Sequence, residues 1–419
     1  MFGSVQGITT LLNLLRTKLI AVLVGTVGTG LNSIYFESRE LIHISTNLGL
    51  DTSGIRIISL VFEEWKNATT DEARAKAWQR LKEEVRLVRS LALMLATLGV
   101  VAMAALSLLM SYMSFQDSNH IVDFLLLAPT VGLTTIVCSE MAILKSMRKL
   151  KSLALISVLN VVMSILTSVP IYYFFGIKGI IAAIVVFLVV EYLTVVTFSY
   201  RLIRPQFEFS TGIVKKGMPI LKLGVALTMA GVALRLSNLG IRSYINSEGG
   251  TDMVGLYSAG YTIVMFLGGF VFSSMDSDFY PRLSGAFDNM MERRIIVYKQ
   301  IKAIMVIIVP VVALFVVLLP WLVPLLLSHD FDPVVPMAQV ASVGLIFRAA
   351  TQPYGYVPIA AGNSKLHMIL EAYCDFLTMF AVMFGFSQYG LVGAGLAYTI
   401  ANAIDVVVLW VVMRWKYGI

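Results

Sequence analysis

Residues 151–186 read KSLALISVLNVVMSILTSVPIYYFFGIKGIIAAIVV, residues 365–400 read KLHMILEAYCDFLTMFAVMFGFSQYGLVGAGLAYTI, and the two stretches align without a gap. Gly176 of the first falls on Gly390 of the second, and the glycines three residues further on coincide as well. The chain therefore contains an internal repeat. Each copy carries an apolar segment on either side of the shared glycines, as in transporters built from duplicated halves.

A second, weaker match pairs GTVGTGLNSIY (25–35) with GTDMVGLYSAGY (250–261), through the Gly-Leu step at Gly30 and Gly255. Six apolar segments occur in each half, and an even number gives both halves the same orientation in a membrane. The predicted fold class is an all-α polytopic membrane protein. It has twelve transmembrane helices in two parallel-repeat six-helix lobes around a central cavity.

The composition supports a membrane protein. Hydrophobic residues make up 58% of the 419 residues and charged residues 14%, whereas soluble proteins carry about 25% charged residues. Apolar segments of about 20 residues recur along the chain, and helices satisfy their backbone groups internally in lipid. The two cysteines, Cys138 and Cys374, both fall inside apolar segments. We interpret them as packing residues and expect no disulfide framework and no metal site.

The crossings are bounded by charged residues, glycines or prolines. They are predicted near 4–28, 32–61, 89–113, 120–144, 152–175, 178–203, 218–245, 253–280, 300–327, 336–360, 366–387 and 391–413. The predicted domains are an N-terminal lobe (1–204), a cytoplasmic linker (205–217) and a C-terminal lobe (218–419).

Lysine and arginine collect in every even-numbered connection and at the C-terminus, as expected for cytoplasmic segments. Both termini are therefore predicted to be cytoplasmic. The longest connection, 62–88, is predicted to be an amphipathic helix at the cytoplasmic interface, with Thr69 or Thr70 as its cap. Arg89 is counted among the charges of this connection, and Glu140, close to Lys145, is interpreted as interfacial. The net charge of +7 reflects this loop bias and indicates no nucleic-acid partner.

Several basic residues nevertheless fall at membrane depth, at a cost of about 2.5–3.5 kcal/mol each on insertion scales. A water-filled cavity would explain them together. The candidate cavity residues are Arg16, Lys18, Arg235, Arg242 and Arg348. Arg235 and Arg242, seven residues apart, return to the same helical face, whereas Arg16 and Lys18 cannot share one. We therefore expect only one of Arg16 and Lys18 to face the cavity.

A cationic cavity predicts an anionic cargo, and guanidinium groups suit phosphate because they offer planar, bidentate donors. For Arg39, which adjoins Glu40, a structural ion pair and a ligand contact both remain open. The glycine-rich segments lack the lysine of a nucleotide-binding loop, so we expect no ATP hydrolysis and no cofactor.

Carboxylates also lie within the predicted crossings. The repeat places Glu191 on Asp405, and Glu371 and Asp375 are four residues apart and share a helical face. Such acids face protein or water rather than lipid. Two roles stay open for all four residues: coupling to a proton or sodium gradient, and structural hydrogen bonding.

No catalytic residues are predicted, and the chain is expected not to be an enzyme. A polysaccharide polymerase or ligase usually carries a large periplasmic loop, whereas the odd-numbered connections here are short. A drug/cation antiporter is the alternative transporter, although its pocket would be acidic or aromatic rather than cationic.

Three stretches resemble a known family: KLIAVLVGTVGTGL (18–31), YPRLSGAF (280–287) and GYVPIAAGNSKLHMILEA (355–372). They are similar to bacterial polysaccharide flippases of the multidrug/oligosaccharidyl-lipid/polysaccharide exporter (MOP) superfamily, in particular the O-antigen and enterobacterial-common-antigen translocases. The resemblance implies a V-shaped transporter of the bacterial inner membrane. It implies a cargo as well, an undecaprenyl-pyrophosphate-linked oligosaccharide moved from the cytoplasmic to the periplasmic leaflet.

The resemblance also assigns individual residues. Lys18 matches the family's first-helix lysine, Arg242 its seventh-helix basic position, and Arg348 the cation of its tenth helix, while Arg235 rests on helix geometry alone. Twelve crossings rather than fourteen count against the peptidoglycan-precursor branch. The expected partners are the polyprenyl-pyrophosphate-linked glycan, membrane lipids and polysaccharide polymerase machinery.

Overall fold

The computed structural model describes the backbone of residues 2–287 and 289–419. It describes the side chains of those residues except residues 2–8, 11, 211, 226–227, 270–271 and 273–278. The side chains at the start of the predicted first crossing, residues 4–8, therefore lie outside the described part.

Nearly all of the described backbone is α-helical, as expected for a chain whose backbone groups must be paired within lipid. The helices are α1 (Phe2–Asn47), α2 (Leu50–Asn67), α3 (Asp71–Ala105), α4 (Ser107–Phe115), α5 (Ile121–Ser146), α6 (Leu150–Phe175), α7 (Ile180–Tyr200), α8 (Thr211–Gly249), α9 (Thr251–Gly285), α10 (Met290–Leu326), α11 (Val334–Ala360) and α12 (Ser364–Tyr417). Short 3-10 turns occur at Gly176–Gly179 and His329–Phe331.

Seven helical segments of the described chain are long and apolar enough to cross a membrane, or eight if the bent pair 212–225 and 228–249 forms one crossing. Two of them, Leu150–Tyr200 and Ser364–Tyr417, contain 51 and 54 residues. Since one crossing takes about 20 residues, each is long enough for two. The all-helical, multi-pass fold is thus confirmed, whereas the count of twelve crossings stays a prediction.

Glycines break the long helices at equivalent positions of the repeat. Gly176, which caps α6, has φ 54° and ψ −135°, and Gly390, inside α12, has φ 59° and ψ −142°. The weaker match behaves in the same way: Gly25 interrupts α1 with φ 64°, and Gly250 separates α8 from α9 with φ 83°. Only glycine adopts these conformations without strain. The first break comes at Gly25, earlier than the boundary predicted between 28 and 32.

The second glycine of the weaker match marks a close approach of two helices. A Cβ atom added to Gly30 would overlap the carbonyl oxygen of Thr251, and one added to Gly255 would overlap that of Thr26. The backbones of α1 and α9 therefore touch at this crossing, as small residues allow in membrane proteins.

The chain divides into two compact units. Unit 1 comprises residues 1–24 and 35–232, and unit 2 comprises residues 25–34 and 233–419. Helix α8 begins at Thr211, inside the predicted linker, and its two ends belong to different units. The predicted lobes concern the arrangement in the membrane, and they stay a prediction.

Each unit has its own apolar core. In unit 1, α2, α3 and α5 bury a cluster around Leu50, Leu81 and Ile143. In unit 2, α9, α10, α11 and α12 bury Phe279, Val357 and Met413. These cores fix the helices that carry the polar side chains of each unit.

The prediction of one helix over 62–88 is wrong in its bounds, whereas the cap predicted at Thr69 or Thr70 is confirmed at Thr70. That this segment lies at the cytoplasmic interface stays a prediction. Helix α2 ends at Asn67 and α3 begins at Asp71, where the Thr70 hydroxyl accepts a hydrogen bond of 3.3 Å from the Ala73 amide. The two helix ends contact each other through the rings of Trp65 and Trp78, whose centroids are 5.4 Å apart. Residues 62–67 therefore belong to the end of α2, and the helix capped at Thr70 continues past residue 88 to Ala105.

Candidate functional site

Arg242 is the most enclosed of the five candidate cavity cations. It lies on α8 in unit 2 with only 5% of its surface exposed. Its Nε donates a hydrogen bond of 2.6 Å to the Ser33 hydroxyl, and its Nη1 donates one of 3.0 Å to the Asn238 carbonyl. Ser33 in turn lies 2.7 Å from the Ser258 hydroxyl. Both acceptors are neutral oxygens that hold the guanidinium in position.

Three tyrosine rings in successive contact begin beside Arg242. Its guanidinium carbon is 6.0 Å from the Tyr257 ring centroid and 5.9 Å from that of Tyr261, within cation–π range. Tyr261 is stacked on Tyr257 at 5.9 Å and meets Tyr398 edge-on at 6.3 Å. We call Tyr257, Tyr261 and Tyr398 the tyrosine row.

Arg348 lies at the other end of the tyrosine row. It is carried by α11, and it is close enough to Tyr398, Tyr261 and Glu371 for electrostatic interaction. Its side chain is nevertheless exposed, unlike that of Arg242. Unit 2 therefore holds two arginines, one buried and one accessible, joined by aromatic rings.

Three carboxylates of α12 interact electrostatically with Arg348. Asp375 interacts electrostatically with Glu371, Arg348 and Asp405. The Cys374 thiol lies beside the Asp405 carboxyl group. The sequence-predicted acids of unit 2 are thus close enough to interact with one another and with Arg348.

Glu191 has a corresponding environment in unit 1. Its Oε1 accepts a hydrogen bond of 3.0 Å from the Asn160 amide of α6, and Arg39 and Arg16 are its neighbouring cations. Arg39 also forms the ion pair that was one of its two predicted roles, at 2.6 Å from the Glu40 carboxylate.

The repeat relates the two carboxylate environments. The alignment that places Glu191 on Asp405 also places Asn160 on Cys374. In both units the carboxylate therefore contacts a polar side chain at the equivalent position of the preceding helical segment. This second matched pair escaped sequence analysis because asparagine and cysteine are different residues, although the ungapped alignment contains it.

Of the two first-helix cations, the structure places Arg16 beside Glu191. The Arg16 guanidinium carbon lies 5.3 Å from the Phe187 ring centroid on α7, and Arg16 interacts electrostatically with Tyr172 and Glu191. Lys18 is partly buried two residues further along α1, about 200° around the helix. Arg16 thus faces this environment, whereas the resemblance emphasised Lys18.

Arg235 is partly buried on α8, two turns before Arg242. Arg16 and Lys18 belong to unit 1, whereas Arg235, Arg242 and Arg348 belong to unit 2. That all five line one cavity stays a prediction.

Sequence analysis missed a buried ion pair in unit 1. Arg89 donates from Nε and Nη2 to the two carboxylate oxygens of Glu140, at 2.8 and 2.9 Å, and the two side chains are 1% and 2% exposed. The Ser199 hydroxyl donates to the same carboxylate at 2.5 Å. The interpretation of Arg89 as a loop charge is wrong, because it is a buried residue within α3, whereas the interfacial position of Glu140 stays a prediction. The sequence gives little indication of this ion pair, because its two residues are 51 positions apart.

Comparison with known proteins identifies a family. The model of a family described as "Polysaccharide biosynthesis protein" matches residues 76–336, more than half of the chain. A search of curated proteins found no matching relative.

Several solved structures share the fold. An inward-facing multidrug resistance MATE family transporter of the MOP superfamily superposes with a TM-score of 0.77 at 17% identity, covering 98% of this chain and 94% of its own. An outward-facing MATE family transporter gives 0.65 at 16% identity, covering 99% and 92%. A MOP superfamily transporter from Pyrococcus furiosus, reported with a reversed polarity of its binding pocket, gives 0.65 at 16% identity with the same coverage. At these identities the likeness shows the fold of MOP-superfamily transporters, and with the family match it confirms the resemblance seen in the sequence.

Proposed function

The chain belongs to the polysaccharide biosynthesis protein family, and from this membership we propose that it is a lipid-linked oligosaccharide flippase. Its cargo is an undecaprenyl-pyrophosphate-linked oligosaccharide, such as an O-antigen or related repeat unit. It moves this cargo from the cytoplasmic to the periplasmic leaflet of the bacterial inner membrane by alternating access, without catalysing a chemical reaction.

The observation that carries the proposal is the pair of arginines joined by the tyrosine row. A pyrophosphate is the charged group that all such cargoes share, whereas their sugars vary. Arg242 and Arg348 supply planar donors for phosphate oxygens, and tyrosine hydroxyl groups add neutral hydrogen-bond partners. Tyrosine rings also offer flat apolar faces beside those donors, which suits a ligand with both charged and apolar parts.

The different exposure of the two arginines suits a carrier that must also release its cargo. Arg348 is accessible and interacts electrostatically with carboxylates, which compete with phosphate for it. Arg242 is enclosed and held by serine and backbone oxygens. Binding that is shared between partly hydrated cations is weak enough to reverse, as transport requires.

We assign the coupling of transport to a proton or sodium gradient to Glu191 and Asp405. Each is the repeat equivalent of the other, and each lies near at least one arginine: Arg16 and Arg39 in unit 1, Arg348 in unit 2. Uptake of a cation by such a carboxylate frees the nearby arginine to interact with a phosphate. Glu371 and Asp375 belong to the same electrostatic environment in unit 2.

For the topology we propose twelve crossings with both termini in the cytoplasm. The loop-charge alternation supports this count, and so do the glycine breaks inside α1 and α12. In this arrangement the odd-numbered connections are periplasmic.

A drug/cation antiporter is the second candidate. The observation that favours it is the acidic environment of unit 2, where Glu371, Asp375 and Asp405 lie close together. Such a site would attract an organic cation rather than a pyrophosphate.

Ligand binding to the purified protein separates the two candidates. Farnesyl pyrophosphate serves as a short-chain probe of the cargo, farnesol as its uncharged control, and tetraphenylphosphonium as the organic cation. We expect saturable binding of farnesyl pyrophosphate that the other two compounds do not displace. Binding of tetraphenylphosphonium without binding of farnesyl pyrophosphate would reverse the assignment in favour of the antiporter.

A further inference from the structure

A separate cavity lies in unit 1, between α3 and the segment that connects α7 to α8. Its volume is about 330 Å³, and its lining includes Trp78, Lys82, Arg86, Arg89 and Arg204. One water molecule occupies about 30 Å³ of liquid, so the space suits a ligand of some ten non-hydrogen atoms. None of these residues belongs to the site assigned to the cargo.

The walls of the cavity are held in place by hydrogen bonds. Arg89, anchored on Glu140, donates from Nη1 to the carbonyl groups of Ile203 and Arg204, at 2.9 and 3.3 Å. Further along, the Glu208 amide donates to the Ser90 hydroxyl at 3.0 Å. The connecting segment is thus fastened to α3 at several points, and the cavity is formed before any ligand arrives.

The charge of the lining is unbalanced. Arg89 is neutralised by Glu140, and Arg86 lies 3.3 Å from the Glu208 carboxylate. Within the described part of the chain, Lys82 and Arg204 form no ion pair. The Lys82 ammonium nitrogen is instead 5.9 Å from the Trp78 ring centroid. Two positive charges therefore remain beside an aromatic wall, which favours an anionic ligand.

We propose that this cavity binds a phosphate ester at the cytoplasmic surface of the protein. Lys82 and Arg204 contact the phosphate oxygens, and Trp78 packs against the organic part, such as the glycerol of a phospholipid headgroup. Phosphate matches both cations, and basic pockets at the cytoplasmic face of membrane proteins bind such headgroups. A bound ester would hold the α7–α8 connection against α3.

The test compares two double variants that remove the same charge from the same elements. Lys82→Gln with Arg204→Gln alters the cavity, and Lys76→Gln with Arg201→Gln is the matched control, because both of its residues are exposed and lie outside the cavity lining. Dioctanoyl phosphatidylglycerol, dioctanoyl phosphatidylcholine and glycerol 3-phosphate are titrated against each purified protein. Binding is followed by native mass spectrometry.

We expect saturable phosphatidylglycerol binding that weakens about 30-fold in the cavity variant and is unchanged in the control, since each lysine or arginine near an anionic lipid contributes about 1 kcal/mol. Binding of phosphatidylglycerol alone identifies the source as lipid. Equal binding of glycerol 3-phosphate identifies a soluble ester. Equal weakening in both variants, or equal binding of phosphatidylcholine, would overturn the proposal. The cargo assignment is unaffected by either result, because Arg242 and Arg348 are intact.

Discussion

Arg242 has an environment that differs from that of an ordinary surface cation. It is buried, it contacts Ser33 and Asn238, and it faces two tyrosine rings. If it binds the pyrophosphate, Arg242→Ala should lower the flipping rate about 10- to 100-fold, which corresponds to one lost charge-assisted hydrogen bond. Arg242→Lys should retain part of the activity, because the charge remains while the bidentate geometry is lost.

Flipping in proteoliposomes, normalised to the amount of inserted protein, measures this effect. Lys416→Ala, which removes an exposed cation from the end of α12, serves as the control and should leave the rate unchanged. Full activity of Arg242→Ala would show that the arginine is structural.

The matched carboxylates Glu191 and Asp405 lead to a second prediction at this scale. Glu191→Gln and Asp405→Asn preserve shape and hydrogen bonding but remove the charge that binds a cation. We expect each variant to lose stimulation by an imposed proton or sodium gradient and to keep passive exchange of cargo. Asp330→Asn, at an exposed position, should respond like the unaltered protein. An unaltered gradient response in both variants would assign the two residues a structural role.

Residue roles were only partly predictable from the sequence. Arg16, Arg242 and Arg348 could be chosen as candidates because an arginine is rare in an apolar segment. Which of Arg16 and Lys18 lies beside Glu191 depends on helix rotation, which packing decides. The tyrosine row could not be predicted from the sequence, because Tyr257 and Tyr398 lie 141 positions apart. Only the folded chain brings their rings close to the arginines.

At the scale of the elements, α3, α5 and α7 are joined by the Arg89–Glu140 pair. Breaking a buried pair leaves an uncompensated charge and costs about 3–5 kcal/mol, whereas an exposed pair contributes about 0–1 kcal/mol. Arg89→Ala should therefore lower the melting temperature clearly in detergent. Arg80→Ala, which removes the exposed pair with Glu64, should change it little.

The double variant Arg89→Met with Glu140→Leu tests whether charge is responsible. Since an apolar replacement of both partners leaves no unpaired charge, it should restore much of the lost stability. A melting temperature as low as that of Arg89→Ala would indicate that the hydrogen bonds to Ile203 and Arg204 matter more than the ion pair.

The elements themselves were well predicted where the repeat applied. Gly176 and Gly390 share their backbone conformation, as their alignment suggests. Helix ends without such a marker were harder to place. The cap at Thr70 divides 62–88 into two helices, although charge spacing continues across it. The cap at Thr69 or Thr70 was predicted, whereas the extension of α2 to Asn67 and of α3 to Ala105 was not.

For the whole molecule, the sequence predicts the sidedness of the connections. Single cysteines at Ser118, Ser247 and Ser328, in a background without Cys138 and Cys374, should react with an impermeant thiol reagent added to intact cells. A cysteine at Ala75 should react only after the membrane is permeabilised. The reverse pattern would place the termini in the periplasm and invert the proposed direction of transport.

The central claim is that this protein moves a pyrophosphate-linked glycan across a bilayer. Its most direct test is the transfer of a fluorescent undecaprenyl-pyrophosphate oligosaccharide between the leaflets of proteoliposomes, measured by quenching with a membrane-impermeant reagent. We predict that the label in the protected inner leaflet becomes accessible much faster with the protein than in protein-free vesicles, and that Arg242→Ala lowers this rate about 10- to 100-fold. A rate equal to that of protein-free vesicles, with several different glycans, would contradict the proposed function.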